Sequence, residues 1–164
     1  MGSYESERRW PVVANIRSSL RLTFDGGTLR MPGWARSYPA VSGKNTARGF
    51  DLSVERQKVP YQGPIPEGVY WVAPAELWTN AWYKYAAPTS AWGTHRLSIH
   101  PFPETNTYGR GGFFIHGGSV PGSAGCIDLW THMSSFAEDL KHAVGGRTNL
   151  YCILTVNYNL GFRK

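Results

Sequence analysis

Glycine and proline break this chain too often for long helices to dominate it. The 19 glycines and 11 prolines among 164 residues leave short apolar runs between breaks, a pattern that favours short strands joined by turns. The length suits one domain with a real core and no need of disulfide staples. The expectation is a mainly β protein, one domain over residues 1–164, in which residues 1–10 form an appended or flexible leader.

Individual elements follow from local pattern. Leu20-Arg21-Leu22-Thr23-Phe24 alternates apolar and polar, Asp25-Gly26-Gly27 supplies a turn tolerant of positive φ, and Thr28-Leu29-Arg30-Met31 returns, so a hairpin is expected. Further strands are expected at residues 38–41, 69–72, 96–99 and 113–115, with a central one at 150–156. Residues 42–59 are polar and glycine-interrupted and read as a long surface loop, and 78–92 as an irregular aromatic loop. One helix stands out over 133–144. Met133, Phe136, Ala137, Leu140 and Val144 recur at three- and four-residue steps, Thr131 or Ser134 can cap the start, and Gly145-Gly146 ends it.

A histidine and a cysteine lie ten positions apart in Phe113-Phe114-Ile115-His116-Gly117-Gly118-Ser119-Val120-Pro121-Gly122-Ser123-Ala124-Gly125-Cys126-Ile127-Asp128. A cysteine attacks as its thiolate, and with an unperturbed pKa of about 8.5 it needs a neighbouring base to take its proton. His116 and Cys126 can form such a pair. Gly125, after Ser123 and Ala124, lets backbone N–H groups converge on one point, as an oxyanion hole requires. Cys152 shares a strand face with Leu150, Leu154 and Val156 and reads as core. The carbonyl of Gly117 is the candidate orienter of the imidazole, no Asp or Asn in the stretch being obviously placed for it. Arg110, held between glycines, could grip a substrate carboxylate with its planar fork or be an ordinary loop arginine. Asp128 could cap the next segment or meet Arg110. His95 and His100 could approach the pocket, while His132 and His142 read as surface residues. A zinc site from His95, His100, His116 and Cys126 matches no compact ligand signature, so neither metal nor cofactor is expected.

The net charge of +6 favours anionic partners, whether nucleic acid, a membrane face or a carboxylate-rich wall polymer. Arg8, Arg9, Arg17, Arg21, Arg30 and Arg36 are scattered rather than aligned, and no nucleic-acid motif accompanies them, so nucleic acid is not an expected partner. No apolar run of signal-peptide or membrane-spanning length occurs. The chain is not expected to be embedded in a membrane, and action outside the cytoplasm would need a removed signal or another export route. Two cysteines, Cys126 and Cys152, allow one disulfide at most and do not decide the compartment.

Ile115-His116-Gly117-Gly118 followed by Ser123-Ala124-Gly125-Cys126-Ile127-Asp128 resembles the active-site signature of L,D-transpeptidases of the YkuD type. Together with Gly63-Pro64-Ile65-Pro66-Glu67-Gly68-Val69-Tyr70 and Tyr108-Gly109-Arg110-Gly111-Gly112-Phe113, the pattern is similar to the shorter L,D-transpeptidase-like effectors of type VI secretion, the Tlde group, over roughly residues 20–156. Ala124 stands where the wider family has a histidine, and Asp128 where it has Arg or Asn, so a substrate contact made there is not carried over.

The resemblance implies an L,D-transpeptidase-like β-sandwich with one helix after the cysteine loop, acting on peptidoglycan stem peptides. Cys126 would attack the L-centre carbonyl of diaminopimelate, expel D-alanine and form a thioester, which water resolves as an L,D-carboxypeptidase or a D-amino acid resolves by exchange. His116 would be base and then acid, Gly117 its orienter, the amides of Gly125 and Cys126 the oxyanion hole, and Arg110 and Ser123 the substrate contacts. An antibacterial toxin acting in the periplasm of a target bacterium, with a cognate immunity protein, is the implied setting. Two other readings stay open: a cysteine amidase or endopeptidase cutting another stem-peptide bond, and a non-catalytic wall-binding module.

Overall fold

The computed structural model describes residues 16–33, 35–79, 96–118, 122–145, 147 and 149–159. The chain runs β1 (Ile16–Phe24), β2 (Thr28–Met31), β3 (Arg36–Pro39), β4 (Val41–Ser42), β5 (Asn45–Thr46), β6 (Gly49–Phe50), α1 (Val54–Gln57), β7 (Gly68–Val72), α2 (Pro74–Thr79), β8 (Arg96–Pro101), β9 (Phe113–His116), β10 (Ile127–Asp128), α3 (Met133–Val144) and β11 (Leu150–Val156), with a 3-10 turn at Trp130–His132 before α3. It is mainly β, as the punctuation predicts, and consistent with the sandwich class.

Among the described residues, nine strands join in the order β3-β2-β1-β11-β7-β8-β9-β10-β4. The pairs β1–β11 and β9–β10 are parallel and the rest antiparallel. β3 and β4 are neighbours in sequence, divided by Ala40 alone, yet occupy opposite ends of the strand order. The sheet must therefore curl until its two edges lie near one another, and the backbone across Ala40 spans them.

The inner face of this curl is apolar. β11 alternates buried and half-buried residues along its whole length, with Leu150, Cys152, Leu154 and Val156 inside. β1 contributes Leu20, Leu22 and Phe24 to the same core. α3 covers it with Met133, Phe136, Ala137, Leu140 and Val144, and Gly145 ends the helix at φ +62°, where a residue without Cβ fits best. The helix start differs from expectation. Neither Thr131 nor Ser134 caps it; His132 occupies the cap position with no side-chain bond, because the preceding 3-10 turn leads the backbone directly into the helix.

The hairpin at β1 and β2 is locked by Asp25, whose carboxylate accepts from the amides of Gly27 and Thr28 and from Arg30. The strand expected at 38–41 is split between β3 and β4. Residues 42–59 are more than a loop: they hold β5, β6 and α1, the helix capped by Ser53 Oγ accepting from Arg56 N at 3.2 Å. Short polar side chains build these elements locally, which is why no apolar period announced them. The aromatic stretch 78–92 begins within α2 and otherwise lies outside the described residues. Among the described residues no helix is long and apolar enough to cross a membrane.

Leu154 is fully buried at the centre of β11, between β1 and β7. Leu154→Ala should cost about 2–5 kcal/mol of stability, read from urea unfolding; a loss under about 1 kcal/mol would show that the core does not close on this strand.

Candidate active site around Cys126

β9 and β10 bring the candidate residues to one part of the sheet. Their parallel register sets Ile127 beside Ile115 and Asp128 beside His116. Side chains alternate along a strand, so the two isoleucines enter the core while His116 and Asp128 belong to the other face. Cys126 lies in the bend directly before β10, next to the strand that ends at His116. No hydrogen bond joins the Cys126 and His116 side chains in this structure. Catalytic contacts of this kind commonly tighten only when substrate is bound.

The imidazole is held from behind. His116 Nδ1 lies 2.8 Å from Gly117 O, so Nδ1–H donates to that carbonyl and Nε2 is the nitrogen free to accept a proton. Gly117 itself is pressed against the turn before α3. A Cβ there would lie 2.8 Å from both Trp130 O and the Met133 side chain, so only glycine allows the carbonyl to sit where it does. Asp128 Oδ1 stands 3.9 Å from the same Nδ1, beyond a hydrogen bond. This carboxylate accepts from Gly122 N and Trp130 N, so it caps the following turn and does not meet Arg110. Burial raises its pKa above the usual carboxylate value, against the effect of those amides and of His116.

The thiol loop is equally constrained. Ser123 Oγ donates to Cys126 O at 2.8 Å and Ser123 N to Gly43 O at 3.0 Å, so the Ser123 hydroxyl proton is engaged within the loop. Gly125 has φ +115°, and a Cβ there would collide with Arg110 Nη2. The half-buried Cys126 thiol is 3.9 Å from Gly112 O. Burial pushes its pKa up to about 11; the Phe114 amide, Arg96 and Arg110 work in the opposite direction, and Asp128 adds to the rise. The shift favours the neutral thiol of Cys126.

Arg110 takes a more structural position than a loop arginine. Nη1 donates to Gln57 O (2.6 Å) and Pro64 O (2.7 Å), and Nη2 to Gly63 O (3.0 Å). With three of five N–H groups engaged, Nε–H and one Nη2–H remain for anything else. Its guanidinium also lies over the Phe113 ring. Arg110 and Cys126 line one cleft of about 300 Å³, together with Pro60, Tyr61, Phe114 and Ala124. A larger cleft of about 410 Å³ between Leu52 and Tyr158 contains neither a cysteine nor a histidine.

The remaining histidines separate from this site. His100 stacks on Trp71 and pairs with Glu76 Oε1 at 3.0 Å, in a second apolar cluster with Trp71, Ala73, Phe102 and Tyr151. Its ring is thus engaged by Trp71 and Glu76, and among the described residues no group of three or more metal-ligating side chains is found. His95 lies outside the described residues. Two further residues at the site carry no motif: Tyr61 on the cleft rim, 76% exposed, and Arg96, which lies opposite His116 on β8 with its guanidinium over the Phe114 ring. Antiparallel pairing of 96–99 with 113–115 was the signal that could have found Arg96.

With the thiol near pH 11, the thiolate population grows about tenfold per pH unit below that value. Alkylation of Cys126 by iodoacetamide, located by peptide mass, should rise in that proportion from pH 7 to 10. Cys152, fully buried with its own pKa raised to about 11, should stay unlabelled. A plateau reached below pH 8 would instead mark a preformed thiolate–imidazolium pair.

The model of the Tlde1 domain matches residues 37–145. No curated protein matches the chain. Among solved structures, that of Bdellovibrio bacteriovorus Bd1075 is similar with a TM-score of 0.47 at 16% identity, over 87% of this chain and 49% of that one. This chain spans about half the length of that structure.

Proposed function

The chain belongs to the Tlde1 family, type VI secretion effectors directed at peptidoglycan, and from that premise we propose that it is a cysteine L,D-carboxypeptidase or exchange enzyme of stem tetrapeptides. What supports this reading is that Cys126 directly precedes β10, whose parallel partner β9 ends at His116, while Nδ1 of that imidazole is committed to Gly117 O. A general base needs one nitrogen fixed and the other open. This histidine has that division.

Cys126 Sγ attacks the carbonyl carbon on the L-centre of diaminopimelate as its proton passes to His116 Nε2. The carbonyl oxygen becomes an oxyanion and is received by the amides of Gly125 and Cys126. When the C–N bond breaks, the imidazolium returns the proton to the departing amine of D-alanine, leaving a thioester. Water, deprotonated by the same imidazole, releases the tripeptide and the thiol; a D-amino acid amine in its place gives exchange. Asp128 at 3.9 Å stabilises the transient imidazolium. No metal or cofactor is needed for any step.

A neutral thiol is compatible with this scheme. Proton transfer and attack proceed together once substrate fills the cleft, so a standing thiolate is not required. The net charge of +6 suits a wall rich in carboxylates. The periplasm of a target bacterium is the proposed site of action, with an immunity protein as the partner that protects the producer.

Incubation with tetrapeptide muropeptides should yield tripeptide and D-alanine, and an added D-amino acid should give the exchanged product. Cys126→Ala should abolish both, and His116→Gln should lower turnover by about 10²–10⁴-fold. Mass spectrometry of the released fragment decides it. A dipeptide or free glycan strand would replace this reading with an endopeptidase or amidase, and sacculus binding without turnover would replace it with a binding module.

A further inference from the structure

Arg110 is a half-buried cation whose hydrogen bonds all go to main-chain carbonyls, those of Gln57, Gly63 and Pro64. Carbonyl dipoles fix the guanidinium in place but leave its full charge standing. No carboxylate lies within ion-pair distance of it among the described residues. Burying a cation without a counter-ion is costly, and the fold accepts that cost at one wall of the Cys126 cleft. Nη2 is packed so tightly against Gly125 that a Cβ on that residue would strike it, and Gly125 is the residue directly before the nucleophile.

An anion does appear here during the reaction. Either the thiolate or the oxyanion on the attacked carbonyl places negative charge beside the backbone of Gly125 and Cys126. We propose that Arg110 is an electrostatic positioning residue: the carbonyls of Gln57, Gly63 and Pro64 hold its uncompensated charge against the Gly125–Cys126 backbone, where it favours the anionic form of the nucleophile and of the intermediate. This rests on Cys126 being the nucleophile. Substrate carboxylate binding through the remaining Nε–H and Nη2–H, a role the sequence also offers, is the competing assignment. The direction agrees with the thiol itself, whose pKa is lowered by Arg110 against the larger effect of burial.

The two roles separate experimentally. Arg110→Gln keeps hydrogen-bond donors and removes the charge; Arg110→Lys keeps the charge and loses the planar fork. With both variants shown folded by circular dichroism, iodoacetamide alkylation of Cys126 is followed from pH 7 to 10, and kcat and KM are measured on tetrapeptide muropeptide. Arg110→Gln should alkylate about tenfold more slowly at each pH, the effect of a thiol pKa raised by about one unit, and lose kcat with KM unchanged, while Arg110→Lys recovers most of the alkylation rate. Parental alkylation in folded Arg110→Gln overturns the proposal, and so does a rise in KM with alkylation unchanged, which would assign Arg110 to the substrate carboxylate. If Arg110→Gln does not fold, Arg110→Lys decides: alkylation near the parental rate supports the charge, and a tenfold loss in the folded variant overturns it. Alkylation needs no muropeptide, so a shift seen without any turnover would sustain this inference while removing the proposed reaction.

Discussion

A buried carbonyl without a donor costs about as much as a lost hydrogen bond, and four consecutive carbonyls of this chain, at residues 63–66, are supplied by side chains. Arg110 serves Gly63 and Pro64, Tyr158 serves Ile65, and Tyr70 serves Pro66. Proline removes the amides at 64 and 66 from any sheet ladder, so the strap cannot be satisfied by becoming a strand. The donors come from β7, from the loop before β9 and from the turn after β11. Because one short segment draws on all three, it ties the apolar centre of the molecule to the lip of the reactive cleft. Ser42 Oγ, accepting from Ile65 N at 2.8 Å, adds β4 to the same knot.

The electrostatics of the site follow from this packing. Burial favours the neutral thiol of Cys126, and the carboxylate of Asp128 adds to that tendency while Arg96, Arg110 and the Phe114 amide work against it. The same packing that buries the sulfur therefore also surrounds it with groups of opposite effect.

What could be read in the sequence was whatever has a local period or a local partner. The hairpin at Asp25-Gly26-Gly27, the helix from Met133 to Val144 and the alternation that buries Cys152 each depend on residues a few positions apart, and the structure contains all three. The pairing of His116 with Gly117 O is local in the same way. The environment of Arg110 is not, since its carbonyl partners lie 46 to 53 positions away and no spacing rule connects a glycine-flanked arginine to a proline-containing turn. The approach of Asp128 to His116 depends on the register of two parallel strands, which the short apolar cores Ile115 and Ile127 do not specify until they are paired. Residues 42–59 were misread because Ser53, Thr46 and Asp51 organise them through side-chain bonds to nearby backbone, a code without hydrophobic rhythm.

The single residue between β3 and β4 has a consequence for cooperativity. β10, the strand that follows Cys126, is two residues long and is flanked by β9 on one side and the two-residue β4 on the other. By itself such a margin would fray far more readily than the long β1–β11 pair. Ala40, fully buried and bonded through its amide to Gly27 O, denies it that independence: β4 cannot peel away without pulling β3 from β2 at the other end of the sheet. The weakest-paired part of the structure is thereby tethered to a distant, better-paired hairpin. An extra residue inserted at Ala40 would slacken both margins at once, so the geometry around the thiol is sensitive to chain length at a position that never touches it.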